Sequence, residues 1–434
     1  MLTMTFYSTK NPSFRVDFRR AVLEGLPPDN GLYMPVEIPE LDPAFWQSLQ
    51  AYRFPELAFR MAENLLRASL PARELEAIVH RAINFPAPLR RLGDGVSVLE
   101  LFHGPSMAFK DFGARFMAEV MSYLNRGEDR ELTVLVATSG DTGGAVAAGF
   151  HSVPGIRVVI LYPSGKVSPL QEKQLTTWGG NVQALEVSGT FDDCQAMVKR
   201  AFLDEELRRR MRLTSANSIN IARLIPQSFY YAEGYKQVLA TGSPPAFVVP
   251  SGNFGNLTAG LFARRMGMPA QAFVAATNLN DVVPAYLKSG RYEPRPSVRT
   301  LSNAMDVGAP SNFARLMDLY GSTWNNIRQD LAGFSFSDAQ SLDAMRGVHE
   351  RFSYVLDPHT AVGYLAARAF LRPNPDRQAI VLGTAHPAKF NEVVEQALGS
   401  PVPLPPALEQ VLHQAKDAQR LAAQFDALKS WMLD

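Results

Sequence analysis

From residue 96 onward, short apolar runs of strand length alternate with segments in which apolar residues recur at helical spacing. This alternation predicts mostly parallel sheets covered by helices on both faces, because parallel neighbours need a crossover connection that is usually a helix. We therefore expect an α/β fold. The runs that predict strands span residues 96–102, 132–137, 158–162, 184–187, 246–250, 272–276 and 378–382.

The chain has 434 residues, more than one hydrophobic core usually supports, so we expect about two or three domains. Residues 1–95 predict a mostly helical region with amphipathic helices near 14–23, 55–66 and 72–83. A Gly-Ser-Pro-Pro break at 242–245 precedes a later strand, and we place the division between two α/β domains before it, giving domains at 96–235 and 236–434. After a proline-rich stretch, one long amphipathic helix is predicted from about residue 407.

The charge balance is close to neutral, with 43 basic and 42 acidic side chains. Such a balance indicates neither nucleic acid nor an acidic membrane surface as a partner. Cys194 is the only cysteine, which excludes an internal disulfide and fits a reducing compartment. Residues 1–15 lack the apolar stretch of a signal peptide, and no window is apolar enough to span a bilayer, so we expect a cytoplasmic protein.

Lys110 lies where a predicted strand passes into a predicted helix. Junctions of this kind are where open α/β sheets usually bind ligands. The first turn of a helix carries partial positive charge, so a lysine there, beside large apolar groups, should lose its proton more readily than a free one. A neutral amine attacks carbonyls and forms Schiff bases. The alternative is an ordinary solvated lysine in a first helical turn.

One uninterrupted motif surrounds this lysine: His-Gly-Pro-Ser-Met-Ala-Phe-Lys-Asp-Phe-Gly at residues 103–113. It resembles the pyridoxal phosphate (PLP) attachment segment of threonine synthases, and the resemblance implies that Lys110 is the Schiff-base residue. Segments at 7–9, 29–35, 305–313 and 357–361 are also similar to that family. The resemblance implies PLP fold type II, the tryptophan synthase β-like group, with two three-layer α/β/α domains after the mostly helical N-terminal region.

A second glycine-rich turn follows the predicted strand 132–137 and opens a helix, with the sequence Thr-Ser-Gly-Asp-Thr-Gly-Gly at 138–144. Small residues let a backbone approach a bound anion, although many such turns bind nothing. The turn resembles the loop of fold type II enzymes that contacts the substrate carboxylate and the edge of the cofactor ring. This implies substrate contacts for Ser139, Gly140 and Thr142, and a cofactor contact for Asp141. Many relatives have Asn there, and a carboxylate beside the phenolic oxygen would need a shared proton or an altered position.

A third turn, Ser-Gly-Asn-Phe-Gly-Asn at 251–256, again follows an apolar run and leads into a helix. It lacks the Gly-Lys-Ser/Thr ending of a Walker loop and the dinucleotide spacing, which leaves a phosphate monoester as a good candidate ligand and a plain tight turn as the alternative. The family resemblance implies that backbone amides of Gly252, Asn253, Phe254 and Gly255 hold the PLP phosphate.

A fourth turn, Gly-Thr-Ala-His-Pro-Ala-Lys-Phe at 383–390, follows the run 378–382. In the family it resembles, the threonine offers its hydroxyl to the pyridine nitrogen, which gives Thr384 that role. A hydroxyl partner lets the ring stay neutral, whereas an acid would favour a protonated ring. A helix N-cap is the competing role for Thr384.

The segment Asn-Ser-Ile-Asn-Ile-Ala-Arg at 217–223 also resembles threonine synthases. Arginine suits bidentate recognition of phosphate, so we expect Ser218, Asn220 and Arg223 to help hold the substrate phosphate, with a structural Arg223 as the alternative. His103 and His386 lie in matched loops, where structural and catalytic roles are both open, and no role is assigned to His359. The sequence contains neither His-Glu-x-x-His nor Gly-x-Ser-x-Gly, so metal-dependent and serine hydrolysis have no support, and no metal is expected.

The resemblance as a whole implies a PLP-dependent lyase that converts O-phospho-L-homoserine and water to L-threonine and phosphate, the last step of threonine biosynthesis. Lys110 would then also shuttle protons at the substrate Cα and Cβ. The alternatives are a PLP-dependent serine/threonine dehydratase or phospho-lyase on the same fold, and a catalytically silent binding protein. We expect a monomer or homodimer with a small-molecule substrate and no nucleic-acid or membrane partner.

Overall fold

The computed structural model describes residues 5–138 and 140–434. The first elements in chain order are β1 (Thr5–Ser8), β2 (Arg15–Asp17), α1 (Phe18–Glu24), β3 (Tyr33–Pro35), α2 (Pro43–Gln47), α3 (Phe54–Leu66) and α4 (Ala72–Ala82). They are followed by β4 (Leu89–Gly93), β5 (Val96–Glu100), α5 (Lys110–Leu124), β6 (Leu132–Ala137), α6 (Asp141–Phe150), β7 (Ile156–Pro163), α7 (Pro169–Thr176), β8 (Val182–Ser188), α8 (Phe191–Leu203), α9 (Glu205–Arg210) and β9 (Arg212–Thr214).

The second half contains the remaining helices and strands. Its elements are α10 (Ile221–Leu224), α11 (Phe229–Val238), β10 (Ala246–Pro250), α12 (Gly255–Arg265), β11 (Ala272–Thr277), α13 (Val282–Ser289), α14 (Phe313–Leu319), α15 (Trp324–Asp330), β12 (Leu331–Ser335), α16 (Asp338–Phe352), α17 (Pro358–Leu371), β13 (Ala379–Gly383) and α18 (Asn391–Leu398). The chain ends with α19 (Pro406–His413), β14 (Gln419–Ala422) and α20 (Phe425–Leu433).

Two large sheets organise the described residues. One has the order β12-β11-β10-β13-β5-β4 and is parallel except for β4, which runs antiparallel to β5. The other has the order β14-β8-β7-β6-β9 and is parallel throughout. Their central strands are buried and rich in Val, Ile, Leu and Ala, as expected for parallel strands covered on both faces. The expectation of an α/β fold with mostly parallel sheets is confirmed.

The two large sheets do not follow the domain division that was expected between residues 235 and 236. The strand before Lys110, β5, pairs with β13 rather than with β6, and β14 near the C-terminus pairs with β8. Sequence order does not determine strand order in a parallel sheet, because each crossover can carry the chain to a non-adjacent position. Each large sheet is therefore built from segments that are distant in sequence.

The N-terminal region contains the expected helices and also a small sheet. Helices α3 and α4 begin and end within about one residue of their predicted bounds, whereas α1 starts at Phe18, because the Asp17 side chain caps it by accepting from the Arg20 amide. Strands β2, β1 and β3 form an antiparallel sheet, a pairing that no local pattern in the sequence predicted. The fully buried Arg315 holds β3 to the rest of the chain by donating to Tyr33 O at 2.9 Å and to Ile219 O at 2.7 Å.

The prediction of one long C-terminal helix was wrong. Helix α19 ends at His413, and the chain then forms β14, the edge strand of the sheet, before α20 begins. Lys416 draws this connection inward, because its Nζ lies 2.6 Å from Glu172 Oε1 and 2.8 Å from Glu186 Oε2. The apolar spacing over 408–432 continues through the break, which is why it predicted a single helix.

The carboxyl ends of β6, β10 and β13 meet at one cavity, and the start of α5 also lies there. Loops from both large sheets therefore line it, as expected for a ligand site at the carboxyl edge of parallel strands. Within the described parts of the chain, no helix has the length and apolar character needed to cross a membrane.

Candidate active site

A cavity of about 1030 Å³ gathers most of the residues that the sequence singled out. Its lining includes Lys110, Gly140, Asp141, Thr142, Ser218, Arg223, Gly252, Asn253, Phe254, Gly255 and Thr384. Two predicted residues are not in this set. Ser139 lies outside the described residues, and Asn220 has another place in the fold.

Lys110 is the first residue of α5, and the backbone before it is fixed to the loop that follows β13. The Phe109 amide donates to Thr384 O at 2.9 Å, and the His386 amide donates to Met107 O at 3.0 Å. An isolated bridge between Ala108 and Ala385 lies between these two bonds. The two loops are thus in register, which brings the lysine and Thr384 to the same cavity.

Burial dominates the electrostatics of the Lys110 amine. Its side chain is only 17% exposed, and this burial lowers the pKa of Lys110 below its ordinary value. The nearby Asp141 carboxylate raises the pKa of Lys110 again, while the charges of Lys389 and Arg223 lower it. Burial is the largest of these influences, so the amine gives up its proton more readily than a free lysine, and the neutral form is the one that attacks a carbonyl.

Asp141 is the first residue of α6 and is an ionised carboxylate. Lys389 Nζ lies 2.9 Å from its Oδ1, Gln171 Nε2 donates to the same oxygen at 3.1 Å, and Lys110 Nζ lies 3.8 Å from Oδ2. Burial alone would raise the pKa of Asp141, but the charges of Lys389 and Lys110 hold that pKa well below the usual range. The carboxylate therefore needs no shared proton, because buried cations compensate its charge.

The loop 251–255 has the form of an anion cradle. Among the described residues, none supplies an acceptor to the backbone amides of Gly252, Asn253, Phe254 or Gly255. Phe254 is in the left-handed region with φ of 59°, and the loop ends at the N-terminus of α12, where partial positive charge favours an anion. A Cβ on Gly252 would lie 2.6 Å from Ala304 O. Free amides, a helix start and close backbone packing fit a phosphate group.

Asn253 braces this loop from both sides. Its Nδ2 donates to Ser218 Oγ at 2.8 Å, and its Oδ1 accepts from the Ser311 amide at 2.6 Å. Behind the loop, the Asn256 side-chain oxygen accepts from the hydroxyls of Tyr230 and Tyr231 at 2.7 and 2.8 Å. These contacts hold the loop in shape, and no motif in the sequence indicates the two tyrosines.

Thr384 follows β13 directly and is buried at the cavity wall. The next turn, Pro387–Phe390, is capped by His386, whose Nδ1 accepts from the Ala388 amide at 3.2 Å. The capping role left open for Thr384 therefore belongs to His386. The Thr384 hydroxyl forms no hydrogen bond to another described residue, so it can serve a ligand.

Arg223 is buried, lines the cavity and has no counter-ion. Its Nη1 donates to Ala216 O at 2.7 Å, its Nε has no hydrogen-bond partner, and no described carboxylate lies within ion-pair distance. Burial lowers the pKa of this guanidinium to about 10. An unpaired buried cation at a cavity wall is a ready site for an anion.

Asn220 has a structural place instead of the expected substrate contact. Its Oδ1 accepts from the Ala222 amide at 3.0 Å as the N-cap of α10, and its Nδ2 donates to Val22 O at 2.8 Å. Both polar atoms are thus engaged inside the fold, and the structure gives no support to a substrate role. The motif contains two asparagines, Asn217 and Asn220, and residue type alone does not show which of them has a structural role.

Three histidines of the matched segments, His103, His359 and His386, support loops. His359 is buried, with Nδ1 2.9 Å from Asp357 Oδ1, and its Nε2 accepts from the Ala304 amide at 3.2 Å, which steadies the backbone behind Gly252. His103 Nε2 lies 2.8 Å from Glu100 Oε2. With His386 as a cap, each ring has a structural partner.

An α/β fold with a buried lysine at a strand-to-helix junction and a free-amide phosphate cradle on the facing sheet defines a PLP-dependent enzyme of fold type II. The family model described as "Pyridoxal-phosphate dependent enzyme" matches residues 82–383, and those described as "Threonine synthase N terminus" and "Threonine synthase, C-terminal" match 5–83 and 360–432. The chain belongs to the threonine synthase family. The family and its PLP cofactor are thus confirmed.

Close relatives and solved structures agree with this assignment. The chain is 44% identical to the threonine synthase of Haemophilus influenzae over 99% of its own length and 100% of the relative, and 42% identical to that of Escherichia coli with the same coverage. The crystal structure of the Escherichia coli threonine synthase matches with a TM-score of 0.90 over 99% of both chains, at 42% identity. A PLP-bound threonine synthase from Brucella melitensis matches with a TM-score of 0.93 at 33% identity, over 99% of this chain and 98% of that one.

Proposed function

We propose that the chain converts O-phospho-L-homoserine and water to L-threonine and phosphate, with PLP as cofactor. One observation supports the assignment beyond family membership: the cavity has two separate places that would suit an anion. The free amides of 252–255 suit one phosphate, and the unpaired guanidinium of Arg223 suits another anion. A PLP enzyme with a phosphorylated substrate needs both.

Each residue proposed to hold the cofactor has a place in the cavity. The amides of Gly252, Asn253, Phe254 and Gly255 would hold its phosphate, Thr384 Oγ1 would meet the pyridine nitrogen, and Lys110 Nζ would form the covalent link. Asp141 would lie at the ring edge as an anion paired with Lys389. When bound, PLP supplies an electron sink for the carbanion formed beside the substrate nitrogen.

Lys110 would move the protons. Its amine is tethered at the cavity wall, and burial lowers its pKa, which makes the neutral, proton-accepting form easier to reach. One such base can take the proton from the substrate Cα and remove one from Cβ as the phosphate leaves Cγ. The proton lost from Cβ is made up at Cγ, water adds its hydroxyl at Cβ, a proton returns to Cα, and the second proton of the water leaves with the phosphate. Burial of the amine also limits exchange of that proton with solvent.

The substrate would be oriented at both ends. Gly140 and Thr142, in the loop that opens α6, would contact its carboxylate beside the partial positive charge of that helix start. We expect Ser139 to contribute as well. Ser218 and Arg223 would hold the phosphate that leaves, and Ser218 is itself held by Asn253.

The test is an assay of phosphate release from O-phospho-L-homoserine with detection of L-threonine. Equal amounts of phosphate and threonine are expected. L-serine and L-threonine serve as comparison substrates, because a serine/threonine dehydratase would turn these over to 2-oxo acids and ammonia. Turnover of the comparison substrates without threonine formation would contradict the proposal.

The dehydratase alternative shares only the fold. The structure of a fungal L-serine ammonia-lyase from Rhizomucor miehei matches with a TM-score of 0.56 at 16% identity, covering 72% of this chain. Size-exclusion chromatography would test the expected monomer or homodimer. A cytoplasmic location and the absence of a nucleic-acid partner stay predictions.

A further inference from the structure

We propose that Lys389 is a positioning residue that pairs with Asp141 and thereby keeps the Lys110 amine free of that carboxylate. The inference rests on the proposed role of Lys110. Lys389 lies in the motif at 383–390, and neither the sequence nor the proposed reaction gives it a task. The structure places its ammonium between the two loops that form the lysine side of the cavity.

Lys389 is anchored at two points. Its side chain is completely buried, and its Nζ lies 2.9 Å from Asp141 Oδ1 and 2.6 Å from Ser106 O. Ser106 belongs to the segment just before Lys110, and Asp141 opens α6. A buried ammonium is costly without a partner, so this pair fixes the distance between the two segments.

The pair also determines which of the two lysines forms the close ion pair with Asp141. Lys110 Nζ lies 3.8 Å from Asp141 Oδ2, beyond hydrogen-bond distance, whereas Lys389 Nζ is within it. If Lys389 were neutral, Lys110 would be the nearest cation to the carboxylate. A carboxylate at that distance favours a protonated amine, which neither attacks a carbonyl nor accepts a proton.

The other charges around the two lysines are few. Lys110 also faces Arg223, whereas Lys389 faces Asp111 and His386. Burial raises the pKa of Asp111 to about 6, and burial together with the nearby His103 lowers the pKa of His386. Both groups have finished titrating at alkaline pH, so measurements from about pH 7.5 upward isolate the effect of Lys389 on Lys110.

The experiment compares two pairs of full-length proteins that differ only at Lys389. One pair is the native protein and Lys389→Met, and the other is Asp141→Asn and the double variant Asp141→Asn/Lys389→Met. The second pair lacks the buried carboxylate, so the double variant carries no unpaired buried charge. Lys389→Arg keeps the charge, and Lys199→Met is the matched control at an exposed lysine.

Two measurements are made on each protein. For the PLP-loaded protein, the visible absorption of the bound cofactor is followed against pH. For the PLP-free protein, the rate at which trinitrobenzenesulfonate labels Lys110 is followed by mass spectrometry of the peptide. Neither measurement depends on turnover, so the outcome stays separate from the assay with phosphohomoserine.

In the native pair, loss of Lys389 is expected to move both profiles to higher pH and to slow labelling of Lys110 near pH 8 by about tenfold. In the pair that lacks the Asp141 carboxylate, a clearly smaller shift is expected. Lys389→Arg and Lys199→Met should follow the native profile. Profiles that coincide within the native pair would overturn the proposal, and so would equal shifts in the two pairs or a Lys389→Arg protein that behaves like Lys389→Met. If Lys389→Met does not fold, Lys389→Gln takes its place, because its amide can still donate to Asp141 but carries no charge, and the same shift is expected of it.

Discussion

Replacement of Arg223 by methionine should strengthen the fold while it weakens recognition of phosphate. The guanidinium is buried, and burial lowers its pKa from the ordinary arginine range to about 10. Since a tenfold change in proton affinity corresponds to about 1.4 kcal/mol, burial disfavours the charged form by about 3 kcal/mol. Methionine removes this cost but leaves Ala216 O without its donor, which costs about 1 to 2 kcal/mol. We expect a net gain of about 1 to 2 kcal/mol in the free energy of unfolding.

The pH dependence follows from the same values. Because the folded state holds this proton less tightly than the unfolded state, the cost is fully present at neutral pH and is relieved only as the pH rises above about 10. Urea unfolding of the PLP-loaded protein at pH 7.5 therefore measures the whole effect. Loading with PLP occupies the loop at 252–255, so that added phosphate reports on Arg223.

Inorganic phosphate separates the two roles of this arginine. At ten times its dissociation constant, phosphate should stabilise the native protein by about 1.4 kcal/mol and should have little effect on Arg223→Met. Arg115→Met, a matched change outside the cavity, should respond to phosphate like the native protein. The reasoning is refuted if Arg223→Met is less stable than the native protein and phosphate stabilises both equally.

Three further predictions concern single positions. Lys110→Ala should abolish both turnover and the visible absorption band of bound PLP; retained turnover would remove this lysine from the reaction. Gly252→Ala should weaken PLP binding at least about tenfold in a fluorescence titration, because the new Cβ would lie 2.6 Å from Ala304 O. The control Gly347→Ala, where the new Cβ meets no other atom, should bind PLP normally. Asp111→Asn should leave stability unchanged near pH 4 but should raise the free energy of unfolding by about 3 kcal/mol at pH 7.5. The reason is that the pKa of Asp111 is about 6 in the folded protein, and above that pH an ionised buried carboxyl group is disfavoured. A stability difference that does not vary with pH would contradict this.

The sequence was sufficient to predict the fold class and the loops of the site. Apolar runs located strands β6 and β10 to the residue, and the switch to helical spacing located the start of α5 at Lys110 within one residue. These features are local, because strand and helix periodicity act over a few residues. The glycine-rich turns are local as well, so they also predicted where anions could bind.

The features that were not predicted arise from contacts between distant segments. No pattern around residue 389 shows that its amine meets Asp141, since that contact depends on how the turn after β13 packs on α6. Likewise, Asn220 and Ser218 stand two residues apart in one motif, yet only Ser218 lines the cavity. Local spacing cannot distinguish a cap from a ligand when either side chain can serve both purposes.

The pairing of β5 with β13 determines how late in synthesis this part of the sheet can form. The strand that leads to Lys110 has only β4 and β13 as neighbours, and β13 is among the last strands to be synthesised. Until then, an apolar strand remains at an open edge, where it can associate with other chains. We therefore expect PLP to bind only late in translation, and a nascent chain truncated before residue 379 should retain no PLP.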